Sequence, residues 1–230
     1  MNMSINTSNK DYRTLGYVIR RTNYGEADRI LNLITPLGKK TVIAKGVRKS
    51  KSKLAGNIEL FALTDFNVHQ GKSEFGVVTG AKMIKFYGEI LKDINKMELS
   101  GLFFKEIGKL AESSDNPEYF EIIDQGLYEI NNGTDLRLVE AWFLLNAGRA
   151  SGEELNLYRD ITGEALREDK KYNYNVNEEA FTENSSGNYS ANEIKMLRLC
   201  EKAKLKVVKK VKFDDNLIEK VLFLARTVNR

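Results

Sequence analysis

The fold is decided by residues 15–45, which read LGYVIRRTNYGEADRILNLITPLGKKTVIAK. Leu15, Tyr17 and Ile19 stand at every second position, and Pro36-Leu37-Gly38 later supplies the chemistry of a tight turn. A period of two, interrupted by turns, is typical of half-buried β-strands. The segment therefore predicts an antiparallel meander of three strands, over Leu15–Thr22, Ala27–Thr35 and Lys40–Lys45.

Two more strands are predicted downstream, over Leu60–His69 and Phe75–Lys85, with Gln70-Gly71-Lys72-Ser73 as the hairpin turn between them. Five strands within about 70 residues suit a small closed barrel, and the oligonucleotide-binding (OB) fold is the common five-stranded type. We therefore expect a flexible tail over 1–14 and an OB domain over 15–86.

From about Glu89 the spacing of apolar residues changes from two to three or four, which is typical of amphipathic helices. A polar stretch near 167–190, rich in Asn, Glu and Ser, lacks this periodicity and is predicted to be a surface insertion. The predicted fold class is α+β: an N-terminal five-stranded OB-fold β-barrel followed by an all-α helical domain over 87–230. Helices are predicted over Met97–Ala111, Pro117–Asn131, from Asp135 onward, Ala191–Lys202 and Asp214–Val228.

Charge is divided unequally along the chain. Residues 1–86 contain 15 Lys and Arg against 6 Asp and Glu, whereas the remainder contains 21 against 26. A positive excess in one small domain attracts polyanions and speeds their encounter with the protein. The predicted barrel is therefore the expected nucleic-acid-binding domain.

The densest basic run, at 45–53, contains five cations and no acid. Cations on an extended segment with Gly and Ser can follow a sugar–phosphate backbone. The alternative is a solvated loop whose charges merely keep the protein soluble. The predicted DNA-binding residues are Lys45, Arg48, Lys49, Lys51 and Lys53 of this run, with Arg20, Arg21, Arg29 and Lys39 nearby in sequence.

Aromatic rings beside such charge could stack on unpaired bases, as they do in proteins that bind single strands. Tyr24 is the best candidate, because it lies in a predicted turn where burial is a poorer explanation for a large ring. For Tyr17 and Phe75, a place in the core is equally compatible with the pattern.

Few residues are suited to catalysis or metal binding. Cys200 and His69 are the only residues of their types, whereas a structural zinc site needs about four Cys or His ligands. Asp28, beside Arg29, is expected to form a local ion pair or anchor a hydrogen bond rather than hold a metal. The sequence contains no apolar span of about 20 residues, and residues 1–10 are polar and lack the apolar segment typical of a signal peptide. We expect a cytoplasmic protein that needs no cofactor and is not an enzyme.

A second cluster of cations, interleaved with apolar residues, covers Lys202–Lys212. Cations attract acids while Val and Leu offer apolar surface, so the cluster could dock an acidic peptide with a hydrophobic tip. DNA contact and a plain exposed element are the alternatives. The residues assigned to possible partner docking are Lys204, Lys206, Lys209 and Lys210.

These motifs, above all Tyr24-Gly25-Glu26-Ala27-Asp28-Arg29-Ile30 and Ala44-Lys45-Gly46-Val47-Arg48, closely resemble the RecO family of recombination mediators. The resemblance implies a bacterial protein that binds single- and double-stranded DNA and anneals complementary strands. It also implies action with RecR in loading RecA onto strands coated by single-stranded-DNA-binding protein (SSB). Some family members bind the acidic C-terminal tail of SSB through the helical domain.

The resemblance fails at one place. Many relatives carry a zinc module that starts with a CxxCG motif, whereas the matching run here is Arg159-Asp160-Ile161-Thr162-Gly163. No zinc is therefore expected, and the insertion near 167–190 replaces the rest of that module. The expected function is a nucleoid-associated recombination mediator of the RecF pathway. The alternatives are an OB-fold RNA-binding protein and a protein–protein adaptor without annealing activity.

Overall fold

The computed structural model describes residues 10–229. These residues form two compact units, one of residues 10–94 and 100–124 and the other of residues 95–99 and 125–229. None of the helices in the described range has the length and apolar character needed to cross a membrane. The elements are β1 (Lys10–Tyr24), β2 (Asp28–Thr35), β3 (Gly38–Ala44), β4 (Ala62–Gln70), β5 (Gly76–Phe86), α1 (Ile94–Leu110), α2 (Glu118–Asn131), α3 (Leu136–Ser151), β6 (Tyr172–Asn175), β7 (Ala180–Glu183), α4 (Ala191–Lys202), α5 (Leu205–Val208) and α6 (Asp215–Val228).

The first five strands form a closed barrel in the order β1-β2-β3-β5-β4. Neighbouring strands are antiparallel, except that Val42 and Ile43 of β3 pair in parallel with Gly76 and Val77 of β5. A five-stranded barrel closed in this way has the architecture of an OB fold. The predicted α+β class, with a five-stranded N-terminal barrel followed by a helical region, is therefore confirmed.

The first strand is longer than the alternation pattern predicts. β1 begins at Lys10, and its first part pairs with β4, where Asp11 lies opposite His69 and Thr14 opposite Phe66. The prediction of a flexible tail is therefore wrong for residues 10–14, because a strand remote in sequence supplies their backbone hydrogen bonds. The remainder of that predicted tail lies outside the described residues.

Alternate residues of the strands fill the barrel. Val18, Leu31, Val42 and Phe66 are fully buried in one apolar cluster. The register of β1 against β2 shifts between Val18 and Arg20, and such a bulge adds one residue and bends the strand. Val18 therefore points inward while Arg20 is exposed.

The first unit also includes the second half of α1 and the first half of α2. Tyr17 of β1 is fully buried in this unit, with its ring centroid 5.5 Å from that of Phe120. Its hydroxyl donates to the carboxylate of Asp124 at 2.5 Å. The compact unit thus extends past the predicted boundary at residue 86, because it contains the apolar residues that cover the outside of β1.

Helix α3 is central to the second unit and packs against α4 and α6. The indole N–H of Trp142 donates to the carbonyl of Ala203 at 2.9 Å. Cys200 of α4 is buried, and burial raises the pKa of its thiol to about 12.

The polar stretch near 167–190 contains a hairpin, so the helical domain is not all-α. Strands β6 and β7 pair antiparallel. The ring of Phe181 lies 6.3 Å from that of Tyr172, 5.2 Å from that of Tyr174 and 5.7 Å from that of Tyr189. Two strands need a packed apolar face to be stable, and this aromatic cluster provides one that the polar composition conceals.

Candidate nucleic-acid interface

Residues 45–53, called the basic loop from here on, leave β3 along the rim of the barrel. Val47 is buried in the barrel core, which fixes the middle of the first turn of the loop. The amide of Arg48 donates to the carbonyl of Ala27 at 2.8 Å, and the amide of Gly46 donates to the carboxylate of Asp28 at 2.7 Å. The backbone on both sides of Val47 is therefore tied to the start of β2.

All five cations of the basic loop are exposed. Within residues 10–229 none of them forms an ion pair with a carboxylate, although Arg48 donates to a backbone carbonyl. Binding to DNA gains affinity from each cation that replaces a counterion at a phosphate, so a free cation contributes more than one already paired. The residues are Lys45, Arg48, Lys49, Lys51 and Lys53.

The turn between β1 and β2 places an aromatic ring beside the basic loop. The guanidinium of Arg48 donates to the carbonyl of Gly25 at 3.2 Å. Tyr24, the preceding residue, is 54% exposed. A ring exposed next to cations allows a base to stack while the adjacent phosphates are neutralised. The structure thus brings the predicted stacking residue and the predicted phosphate contacts to one surface.

The outer face of β1, β2 and β3 continues this surface. Arg20, Asn32 and Thr41 lie opposite one another across the three strands, and the hydroxyl of Thr41 donates to Asn32 Oδ1 at 3.3 Å. Ligands of OB folds bind on this face, where polar groups beside a cation suit sugar–phosphate contacts. Asn32 and Thr41 are absent from the predicted site. The sequence does contain a signal for Asn32: it stands between Leu31 and Leu33, which point into the barrel, so its own side chain points to the outer face.

Arg29 lies where this face meets the basic loop. It pairs with Ala44, the last residue of β3, and its Nε donates to Asn23 Oδ1 at 3.3 Å. Asn23 belongs to β1 and directly precedes Tyr24. The backbone of Arg29 therefore lies beside the residues that directly precede Tyr24 and Lys45.

Two other residues predicted to contact DNA form ion pairs with carboxylates of the protein itself. Arg21 lies 2.7 Å from Glu59. The ammonium of Lys39 donates to Gly108 O and to Glu112 Oε1, each at 3.3 Å, and its side chain is 18% exposed. These carboxylates compete with phosphate for the two cations, so contact of Arg21 and Lys39 with DNA stays a prediction.

The remaining aromatic candidates differ in exposure. Tyr17 is fully buried, so it occupies the core position that the sequence allowed as an alternative to base stacking. Phe75 is half-buried in the connection between β4 and β5, directly before Gly76. Because Gly76 pairs with Val42 of β3, Phe75 lies near the edge of the face described above.

Two family models match the chain: "Recombination protein O N terminal" over residues 9–87 and "Recombination protein O C terminal" over residues 108–227. The chain belongs to the RecO family. It is similar to the DNA repair protein RecO of Dehalococcoides mccartyi strain CBDB1, with 33% identity over 177 residues, which cover 74% of this chain and 66% of that protein. The DNA repair protein RecO of Roseiflexus sp. strain RS-1 is 32% identical over 148 residues, or 64% of this chain and 52% of that protein. The matched parts span less than two thirds of these relatives.

The cation cluster that follows α4 is divided between one lysine that pairs with a buried acid and three that form no ion pair in the described residues. Lys209 donates to Glu129 at 2.7 Å, and the side chain of Glu129 is 2% exposed. All four predicted docking residues are exposed, as are the apolar side chains of Val207 and Val211. Leu205 and Val208 are buried and hold the short helix α5 in place. The predicted docking residues that form no ion pair within residues 10–229 are Lys204, Lys206 and Lys210.

The run that corresponds to the CxxCG motif of other RecO proteins forms a hydrogen-bonded turn. Asp160 Oδ1 accepts the Thr162 amide at 2.9 Å, the Thr162 hydroxyl at 2.6 Å and the Glu164 amide at 3.1 Å. These bonds, that of the Thr162 hydroxyl above all, lower the pKa of Asp160. Within residues 10–229 no three His, Cys, Asp or Glu side chains are grouped so that they could hold a metal ion. The side chains of this turn therefore do not fit zinc.

Proposed function

We propose that the chain is a recombination mediator without catalytic activity, acting in DNA repair in the cytoplasm at the nucleoid. In this role it binds single- and double-stranded DNA, anneals complementary strands and helps to load a recombinase onto SSB-coated DNA. The observation that supports this proposal best is the basic loop, whose five cations form no ion pair in the described residues and lie beside the exposed ring of Tyr24. Membership of the RecO family favours DNA over other polyanions.

Annealing follows from charge neutralisation. Two complementary strands repel each other through their phosphates, and cations that occupy phosphates on both strands reduce this repulsion. The basic loop offers Lys and Arg side chains rather than a rigid set of groups aimed at base edges, so binding should not depend on base sequence. No hydrolysable cofactor is needed for this step.

The test is DNA binding by a triple variant, Lys49→Ala, Lys51→Ala and Lys53→Ala, measured at several salt concentrations. If the basic loop contacts about four phosphates of a single strand, the logarithm of the binding constant should fall against the logarithm of salt with a slope of about −3. The triple variant should bind more weakly and give a flatter slope. Unchanged affinity and slope would remove the basic loop from the interface.

The matched control removes the same charge elsewhere. Lys105, Lys170 and Lys195 have exposed side chains and pair with nearby acids, so their combined replacement by Ala also lowers the net charge by three. Only the loop variant should lose annealing of complementary fluorescent strands. Equal loss of annealing in both variants would show that overall charge, rather than the basic loop, causes the effect. If RNA of the same sequence competes with DNA for binding, the RNA-binding alternative is favoured.

A partner role is proposed for the exposed part of the second cluster. Lys206 and Lys210 directly precede the exposed Val207 and Val211, which matches an acidic peptide that ends in a hydrophobic residue, such as the tail of SSB. The paired replacement Lys206→Ala and Lys210→Ala should weaken binding of a fluorescent tail peptide without changing DNA affinity. We also propose that the chain binds RecR directly and acts on RecA indirectly through RecR. Co-purification would test for these complexes.

A further inference from the structure

One acid lies inside the positive surface. Asp28 is the first residue of β2, opposite Tyr24 of β1 and one residue before Arg29. Its carboxylate does not form the local ion pair that is one of the two predicted roles, because Arg29 donates to Asn23 instead. It accepts the amide of Gly46 at 2.7 Å, which is the predicted role of hydrogen-bond anchor.

The bonded amide belongs to the residue that starts the turn of the basic loop. Gly46 has a φ of +62°, a left-handed conformation that glycine adopts readily and other residues rarely do. The same turn is joined to the β1–β2 connection by Arg48, through its amide to Ala27 and its guanidinium to Gly25. Asp28 is the only side chain of β2 that bonds this turn in the described part of the chain.

An acid at a polyanion site would normally oppose binding, because its charge repels phosphate. A loop held in its binding conformation, however, loses less conformational freedom when it binds than a loop that must first be ordered. We infer that Asp28 is a positioning residue of the nucleic-acid interface: its hydrogen bond to Gly46 holds the basic loop in the conformation that binds DNA. This inference rests on the proposed function.

Two substitutions separate position from charge. Asp28→Asn and Asp28→Ala both remove one negative charge, but the Asn side chain keeps an oxygen that can accept the Gly46 amide. If charge alone mattered, both variants would bind single-stranded DNA more tightly, and to the same degree. We expect Asp28→Asn to bind at least as tightly as the parent chain, and Asp28→Ala to bind roughly three- to tenfold more weakly.

The salt dependence adds a readout that a loss of stability alone does not change. A loop that is no longer held should contact fewer phosphates at once, so Asp28→Ala should flatten the salt slope by about 1, whereas Asp28→Asn should keep it. Glu26→Gln is the control, because Glu26 is exposed in the same turn. It should behave like Asp28→Asn.

Affinity is measured at a temperature where thermal unfolding shows every variant to be folded. If Asp28→Ala does not fold, Asp28→Ser replaces it, since the serine oxygen ends one bond nearer the backbone and falls short of Gly46. Equal affinity of the Asn variant and the Ala or Ser variant would overturn the inference. The triple variant of Lys49, Lys51 and Lys53 shows whether the proposed function itself has failed. If it has, the triple variant binds DNA like the parent chain; if only the role of Asp28 is wrong, the triple variant still binds more weakly.

Discussion

The hydroxyl of Tyr17 donates to the carboxylate of Asp124 at 2.5 Å, joining β1 of the barrel to α2 within the first unit. The Tyr17 hydroxyl also lies 3.1 Å from that of Tyr87. Burial, reinforced by the neighbouring Tyr87 and Asp124, raises the pKa of Tyr17 far above its usual value. This shift favours the neutral phenol, the form that can donate to Asp124.

We expect Tyr17→Phe to lower the free energy of unfolding by about 1–3 kcal/mol, because Asp124 loses a buried donor while the ring keeps its packing. Urea denaturation followed by circular dichroism measures the change. Tyr24→Phe is the matched control, since its hydroxyl has no partner in the described residues and its ring is 54% exposed. A Tyr17→Phe variant as stable as the Tyr24→Phe variant would contradict this role.

Stability in acid should depend on the start of α4. Glu193 closes a capping box with Ser190 and receives the ammonium of Lys220 at 2.9 Å. Burial alone would raise the pKa of Glu193, but the hydrogen bonds from Ser190 and Lys220 outweigh it and lower the pKa to about 2. Because the pKa is lower in the folded state than in the unfolded chain, this carboxylate stabilises the fold above about pH 4.3. That contribution is lost as the pH falls toward 2.

Glu193→Gln should therefore destabilise the chain by about 1–3 kcal/mol at pH 7, with a difference from the parent that shrinks between about pH 4 and pH 2. The measurement is the free energy of unfolding as a function of pH. Glu183→Gln serves as the comparison, because Glu183 forms an exposed pair with Lys170 and should have little effect at any pH. A constant difference across the acid range would show that the charge of Glu193 is not what stabilises α4.

The sequence predicts more of the barrel than of the site. Strands can be recognised from a local pattern of alternating apolar residues such as Leu31 and Leu33, and β2 to β5 lie close to the predicted ranges, although β1 starts earlier than predicted. The partner of Lys39, by contrast, is Glu112, 73 residues away, and no local pattern shows that the turn after α1 lies beside β3. Tyr17 likewise alternates as a surface residue could, and only the packing of α2 on β1 makes it part of the core.

The turn at Asp160 should fold without metal. Asp160→Ala removes the acceptor of three hydrogen bonds, so we expect faster cleavage by protease within residues 155–190 and lower thermal stability. A chelator should leave the melting temperature of the parent chain unchanged. Asp169→Ala is the control, because Asp169 forms an exposed pair with Arg167. Sensitivity of the parent chain to the chelator would show that a metal stabilises the fold, and equal cleavage of both variants would show that Asp160 does not organise the turn.

Lys209 differs in role from the lysines around it, although all were predicted for docking on the same pattern. Its ammonium donates to Glu129, which is 2% exposed and also accepts the hydroxyl of Thr134 at 2.7 Å. Lys209→Ala would leave a buried carboxylate without its cation, and we expect the free energy of unfolding to fall by about 2–3 kcal/mol. Lys210→Ala, with an exposed side chain, should change it by less than about 0.5 kcal/mol.

The double variant Lys209→Ala with Glu129→Gln completes this test. Replacing the buried carboxylate by a neutral amide removes the uncompensated charge, so the double variant should recover much of the stability that Lys209→Ala loses. If instead the two substitutions add, the pair is not coupled and Lys209 is free to serve as a docking residue. Recovery would assign Lys209 to the fold and leave docking to Lys204, Lys206 and Lys210, which is the division that the ion pair of Lys209 with buried Glu129 already indicates.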